Sequence, residues 1–273
     1  MELSLDPGVL VGIAVTEGLY LRALSRLRGR GVRVPRLQIA AFHGAIALWL
    51  IGLVSPLDGY EDTLLSAHMA QHVLIADLAA PLLLMGIRNP VLAFYLPRSA
   101  LVTLARTGWV RRGWRTLRKP LVAIAFSVTI FYAWHLGPLF EAAVRHPVLH
   151  ALQHMSLIAA ATVVWWPALE PKRRRVPGDL WKVPYVLGAR FATMFLGMSL
   201  VVVRVPVYTG VYGTGERHGL TALADQQAAA GIMISVDILV MVAALCFFFA
   251  RASGDAMRAD DAERAAREAA LLT

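Results

Sequence analysis

One cysteine, Cys246, is all the thiol chemistry that this chain carries. A single thiol excludes an intrachain disulfide and any multi-cysteine metal motif, and Cys246 reads as a small buried hydrophobe in the last apolar block. Charge is scarce as well: Asp, Glu, Lys and Arg make up only 16% of the 273 residues, and most of it falls between apolar blocks. No short basic start leads into a small-residue cleavage site, so the first apolar block is expected to remain as a span. No internal repeat supports an inverted-repeat transporter. No nucleophile–base–orienter set is evident. Ser66 and Ser156 lie near histidines, but a serine in an apolar helix commonly bonds its own backbone, so the chain is not read as an enzyme.

What is present is long apolar sequence, with a mean hydropathy of +0.58. The blocks run approximately Pro7 to Leu24, Leu37 to Val54, Leu64 to Ile87, Leu121 to Phe140, His146 to Leu169, Val183 to Val203 and Gln226 to Ala250. Each approaches the ~20 residues that a helix needs to cross a ~30 Å hydrocarbon layer. The expected fold is therefore all-α, a seven-helix membrane domain over residues 1–250 with a charged tail at 251–273. Residues 89–114, with Pro97 and interspersed arginines, read as an amphipathic segment lying on the bilayer surface.

Charge suggests the orientation. The connections after the first, third and fifth blocks are basic: six arginines between Arg22 and Arg36, then "RRGWRTLRK" and "KRRR". The intervening connections, among them "SPLDGYEDT" and "EAAVRH", carry little excess positive charge. Basic loops face the cytoplasm, which puts the amino terminus outside and the carboxyl terminus inside. The +9 formal charge is thus a topology signal; no nucleic-acid-binding module accompanies it, so nucleic acid is not an expected partner.

On that topology seven of the eight histidines fall near the outer face, and only His43 lies toward the cytoplasm. His68 and His72 are four apart and share a helix face; His146, His150 and His154 repeat the step twice. Polar residues in spans are costly and tend to face the bundle interior, so these stripes are functional candidates by default. A lone histidine is more often a hydrogen-bonding core residue, the reading that suits His43 and His218. His146 is balanced between ligand and helix start, because Pro147 follows it.

Met69 and Met155 adjoin the stripes, Met194 and Met198 form another i, i+4 pair, and Met233 lies in the outer half of the seventh span. Imidazole with thioether, without cysteine or a dense carboxylate cluster, favours copper, particularly Cu(I), although zinc also suits imidazole. His135 ends the fourth span at the same depth. Glu17, Asp77, Arg190 and Asp237 are intramembrane charges; Arg190 is expected to neutralise one of the two aspartates, and a buried pair is favoured over a proton path. Asp225 is placed to orient a histidine through its second ring nitrogen.

The stretches "SAHMAQHVLIADLAAPLLLMG", "HPVLHALQHMSLIAAATVVWWP" and "DQQAAAGIMISVD", in this order, resemble the multi-span CtaG family of caa-type cytochrome c oxidase assembly factors. The resemblance covers about residues 41–249. It implies a plasma-membrane protein needed to make active haem–copper oxidase, with oxidase subunits as partners beside the lipid bilayer; a copper-carrier protein is a further candidate partner. The positions matched are His68, Met69 and His72, then His146, His150 and Trp165-Trp166-Pro167, then Asp225 and Gln226.

From the residues themselves, the expected metal ligands are His68, Met69, His72, His146, His150, His154 and Met155, with His135, Asp225, Gln226 and Asp77 as supporting polar groups. Haem held between histidines of two spans is an alternative. A copper or cation permease is another; its cytoplasmic route would use His43, Asp77 and Asp237. A scaffold that binds oxidase subunits without metal is the third.

Overall fold

The computed structural model describes residues 6–170 and 181–271, and the "KRRR" loop expected on the cytoplasmic side lies outside them. Helix α1 (Pro7–Arg28) begins where Asp6 accepts the Gly8 N–H at 2.7 Å and Pro7 supplies a pre-set φ. Helix α2 (Arg36–Val54) returns beside it, with Tyr20 stacked on Phe42 at 3.6 Å between ring centroids. The third span, α3 (Leu65–Ile87), is not uniform: α-helix over Leu65–His72, a π-helical stretch over Val73–Leu78, then α-helix again. Pro81 lacks the N–H that would bond the Asp77 carbonyl, and the wider turn avoids the clash. The Trp49 indole donates to the Ile75 carbonyl at 3.1 Å within that stretch.

Three short helices follow, α4 (Leu92–Tyr95), α5 (Arg98–Arg106) and α6 (Gly108–Leu117). Helix α7 (Pro120–Trp134) leaves α6 at 89°. The expected span from Leu121 to Phe140 is therefore shorter than anticipated. Its 15 residues reach about 22 Å at 1.5 Å each, and the chain breaks at His135-Leu136, because Pro138 has no N–H to bond the Trp134 carbonyl and fits the first turn of a new helix instead. Helix α8 (Gly137–Arg145) then precedes α9 (Pro147–Leu169), α10 (Lys182–Val202), the single turn α11 (Thr209–Tyr212), a two-residue β ladder, and α12 (Ala222–Leu271). The chain is all-α in architecture. Among the described residues six helices are long and apolar enough to cross a membrane, and a seventh is reached only if the bent α6–α7 pair counts as one span. The charged tail continues α12 without a break as far as Leu271.

Lipid tails offer no hydrophobic gain over apolar side chains, so close backbone approach holds such a bundle together. A Cβ at Gly86 would sit 2.6–2.9 Å from atoms of Phe42, and one at Gly197 would sit 2.9 Å from Ile234. Cys246 is exposed on the bundle's outer surface, which corrects its reading as a core residue.

The connections between α2 and α3, α7 and α9, and α10 and α12 all meet at one end of the bundle. There Tyr212 donates to the Glu61 carbonyl at 2.9 Å and Tyr208 to the His135 carbonyl at 2.9 Å. At the opposite end Gln38 donates to the Gly86 and Arg88 carbonyls, and Arg118 pairs with Glu170.

Candidate metal centre

Helices α3 and α9 both start at the end where the three connections meet, so they run parallel and their i, i+4 steps stay matched. His68 and His72 lie 4.4 Å apart between ring centroids, and His150 and His154 lie 4.2 Å apart. Across the helices, His68 stacks on His150 at 5.1 Å and His72 meets His154 edge-on at 5.2 Å. Four imidazoles from two helices thus form one closed group. Ligand atoms of His68, His72 and His150 lie within 4.8 Å of one another, and so do those of Glu61, His150 and His154.

Burial and bonding set this group apart. His68 is fully buried and His72 is 6% exposed. The Gln153 side chain approaches His68, but among the described residues neither ring nitrogen of His68 or of His72 completes a hydrogen bond, nor does Nε2 of His150 or of His154. A neutral imidazole carries one N–H donor and one lone pair, and each orphaned buried group costs about 1–3 kcal/mol. A cation accepting those lone pairs offsets that cost.

The sequence pattern alone does not mark Glu61, whose loop reads there only as a connection of little excess positive charge. Its Oε1 stands 3.3 Å from His150 Nδ1. The signal was its position, seven residues before His68 and close to the start of the same span. Burial, with the Asp58 and Asp62 charges adding to it, pushes the Glu61 carboxyl up to about 9.

His135 is buried beside the cluster; its Nδ1 lies 2.7 Å from the Phe131 carbonyl, and its Nε2 has no partner. Met69 is also buried. Both line a cavity of about 50 Å³ together with His72 and Met233; its deeper part is bounded by Asp77, Arg190 and Asp237.

Several expected members lie elsewhere. His146 is the exposed residue before Pro147, outside the first turn of α9, and does not join the cluster. Met155 follows His154 by one residue, about 100° around the helix, and at 66% exposure it faces away from the bundle. Met198 is likewise on the outer surface.

Among the described residues Asp225 makes no hydrogen bond to a histidine. Its carboxylate accepts from Leu65 N at 2.7 Å, Ser66 N at 3.0 Å and Ser66 Oγ at 2.5 Å, so it caps the start of α3 from another helix. Gln226 accepts from Val207 N at 2.8 Å and directs its amide N–H groups at the Leu200, Val203 and Val205 carbonyls. Asp225 thus fixes the height of α3, hence of His68 and His72, while Gln226 ties α12 to the connection after α10. Ser156 accepts the Trp134 indole N–H at 2.7 Å and donates to the Gln153 carbonyl.

Asp77 belongs to a separate group. Arg190 Nη1 donates to Asp77 at 2.8 Å and to Asp237 at 2.6 Å, pairing both aspartates where one was expected, and Thr193 adds a bond to Asp237 at 3.0 Å. His43 pairs with Glu17 at 3.5 Å, on α1 and α2 and away from this group.

The family model for the cytochrome c oxidase caa3 assembly factor matches residues 18–254. The chain belongs to that family. Both histidine stripes and the Asp225-Gln226 pair of this caa3 assembly-factor family member lie inside the matched region. Curated relatives include an uncharacterized protein of Mycobacterium bovis and one of Mycobacterium tuberculosis. Each is 27% identical, covering 88% of this chain but 38% of its own length, so the chain spans well under half of those proteins. No solved structure matches this family member.

Proposed function

We propose that the chain works in the plasma membrane as an assembly factor that holds copper as cargo and passes it to cytochrome c oxidase. The observation that carries this reading is the group His68, His72 and His150, whose ligand atoms lie within 4.8 Å while the buried nitrogens of His68 and His72 complete no hydrogen bond among the described residues. The orientation that suits it places the histidine end at the extracytoplasmic side, with the basic connections inside.

The donor set fits a borderline-soft cation. Imidazole nitrogens supply three contacts, and a thioether lines the adjoining cavity. Zinc would accept the same imidazoles; the neighbouring methionines favour Cu(I). His150 belongs to both ligand groups, so a cation first met by Glu61, His150 and His154 can move to His68 and His72 without losing His150. Ligand exchange at a shared residue keeps the ion bound while it moves. Glu61 holds a proton in the metal-free chain, and releasing it to solvent as the cation arrives turns its carboxyl into a compensating negative charge at the entry position.

The haem alternative fits less well. His68 and His150 stack side by side with ring planes 24° apart, which does not oppose them across a porphyrin, and the adjoining cavity is only about 50 Å³. The permease alternative needs polar groups continuing past Asp77 and Asp237. Beyond them pack Leu84, Val164, Trp165, Tyr185 and Phe248, and His43 lies on other helices.

The test is made in cells whose caa3-type oxidase depends on this chain. With His72→Ala/His150→Ala, the isolated oxidase is expected to keep its haem and lose copper. Normal copper content with that variant present at wild-type level would contradict the proposal and favour the metal-free scaffold.

A further inference from the structure

The cavity below the histidine cluster has its own donor set. His135 Nδ1 lies 2.7 Å from the Phe131 carbonyl, which can only accept, so Nδ1 carries the hydrogen and Nε2 carries the lone pair. That Nε2 is buried without a partner in a residue only 7% exposed. Around the same space stand the thioethers of Met69 and Met233, 1% and 7% exposed, and the imidazole of His72. Met69 and Met233 also share one packed cluster, so α3 and α12 hold them together.

Charge points the same way. The deeper wall holds Asp77, Arg190 and Asp237, and with both carboxylates ionised one guanidinium leaves a formal charge of −1. A buried unit charge is best balanced by one opposite unit charge. A monovalent soft cation matches both the donors and the charge; a divalent hard cation matches neither.

We propose that this cavity is a second metal position, a thioether–imidazole site for Cu(I) formed by Met69, Met233 and His135, with His72 as the ligand shared with the cluster above. It rests on the copper reading of the histidine cluster and adds a deeper resting place for the same cargo. The volume of about 50 Å³ has room for an ion with a few water-sized neighbours and not for a large organic ligand. Few ligands and soft sulfur suit an ion that must later leave.

The experiment uses the full chain purified in detergent and loaded anaerobically with Cu(I) alone, read by bound-copper stoichiometry and by X-ray absorption for sulfur neighbours. Wild type is expected to bind more than one equivalent, part of it with sulfur in the coordination shell. Met69→Leu/Met233→Leu, which nearly conserves volume, is expected to lose the sulfur signal and that fraction of copper while retaining the nitrogen-bound fraction. His68→Ala/His150→Ala is expected to keep the sulfur signal. Copper bound by wild type with nitrogen neighbours only, unchanged in the methionine variant, overturns the second position and leaves the cluster reading intact. No copper bound by wild type at all overturns both.

Discussion

Two groups of buried polar side chains lie a turn and a half apart on α3, and they are built on opposite terms. In the Asp77–Arg190–Asp237 group every charge has a partner, with bonds of 2.6 to 3.0 Å including that from Thr193. In the cluster of His68, His72, His150 and His154 the rings touch one another, yet most of their nitrogens bond to nothing. Leaving lipid-buried polar groups unpaired is costly, so a chain that pairs one set and not the other has kept the second for something else. The first group secures the bundle. The second offers lone pairs.

That contrast is sharpened by removing a member from each side. Arg190→Leu leaves two aspartates buried without their cation, and breaking such a group typically costs about 3–5 kcal/mol. Thermal unfolding in detergent should show that loss, or the variant should fail to accumulate. Asp225→Ala removes the carboxylate that caps α3, a charged hydrogen-bonding role worth about 1.5–3 kcal/mol; the same measurement should show a smaller fall, with weakened copper binding because His68 and His72 shift. His72→Ala/His150→Ala should unfold within about 1–2 kcal/mol of wild type, since lost packing is partly offset by removing orphaned nitrogens. A fall as large as that of Arg190→Leu would erase the distinction between the two groups.

Glu61 gives a test by pH. Its carboxyl, held up at about 9 against an ordinary 4.5, keeps a proton in the folded metal-free chain that the unfolded chain has released. Folded stability due to this group is fullest below pH 4.5, declines as pH rises toward 9 and levels off above it. Melting of metal-free protein followed from about pH 7 to 9, where histidines no longer titrate in the unfolded chain, should show the decline, and Glu61→Gln should flatten it. The smallest effect is expected from His146→Ala and Met155→Leu. Both residues lie away from the cluster, and copper binding measured by titration should be unchanged.

The apolar blocks, the sharing of one end by most histidines, and a charge pair around Arg190 are all legible from spacing and composition, because helical periodicity is local. Rotation about a helix axis is local too, and it explains Met155: one residue beyond His154 is about 100° away from it. The break before Gly137-Pro138 likewise had a local sign in the proline. Asp225 was different. Its partners Leu65 and Ser66 lie about 160 residues away, and a carboxylate at a helix entry reads equally well as a cap or as a histidine partner. Glu61 sat in a loop whose fold depends on Tyr212, far along the chain, so its approach to His150 followed only from tertiary packing.

The most direct test is a competitive Cu(I) titration of the purified full chain, wild type beside His68→Ala/His72→Ala/His150→Ala. The account predicts tight binding by wild type and loss of that binding in the triple variant, with the variant's melting temperature largely retained. Equal copper affinity in the two proteins would contradict it.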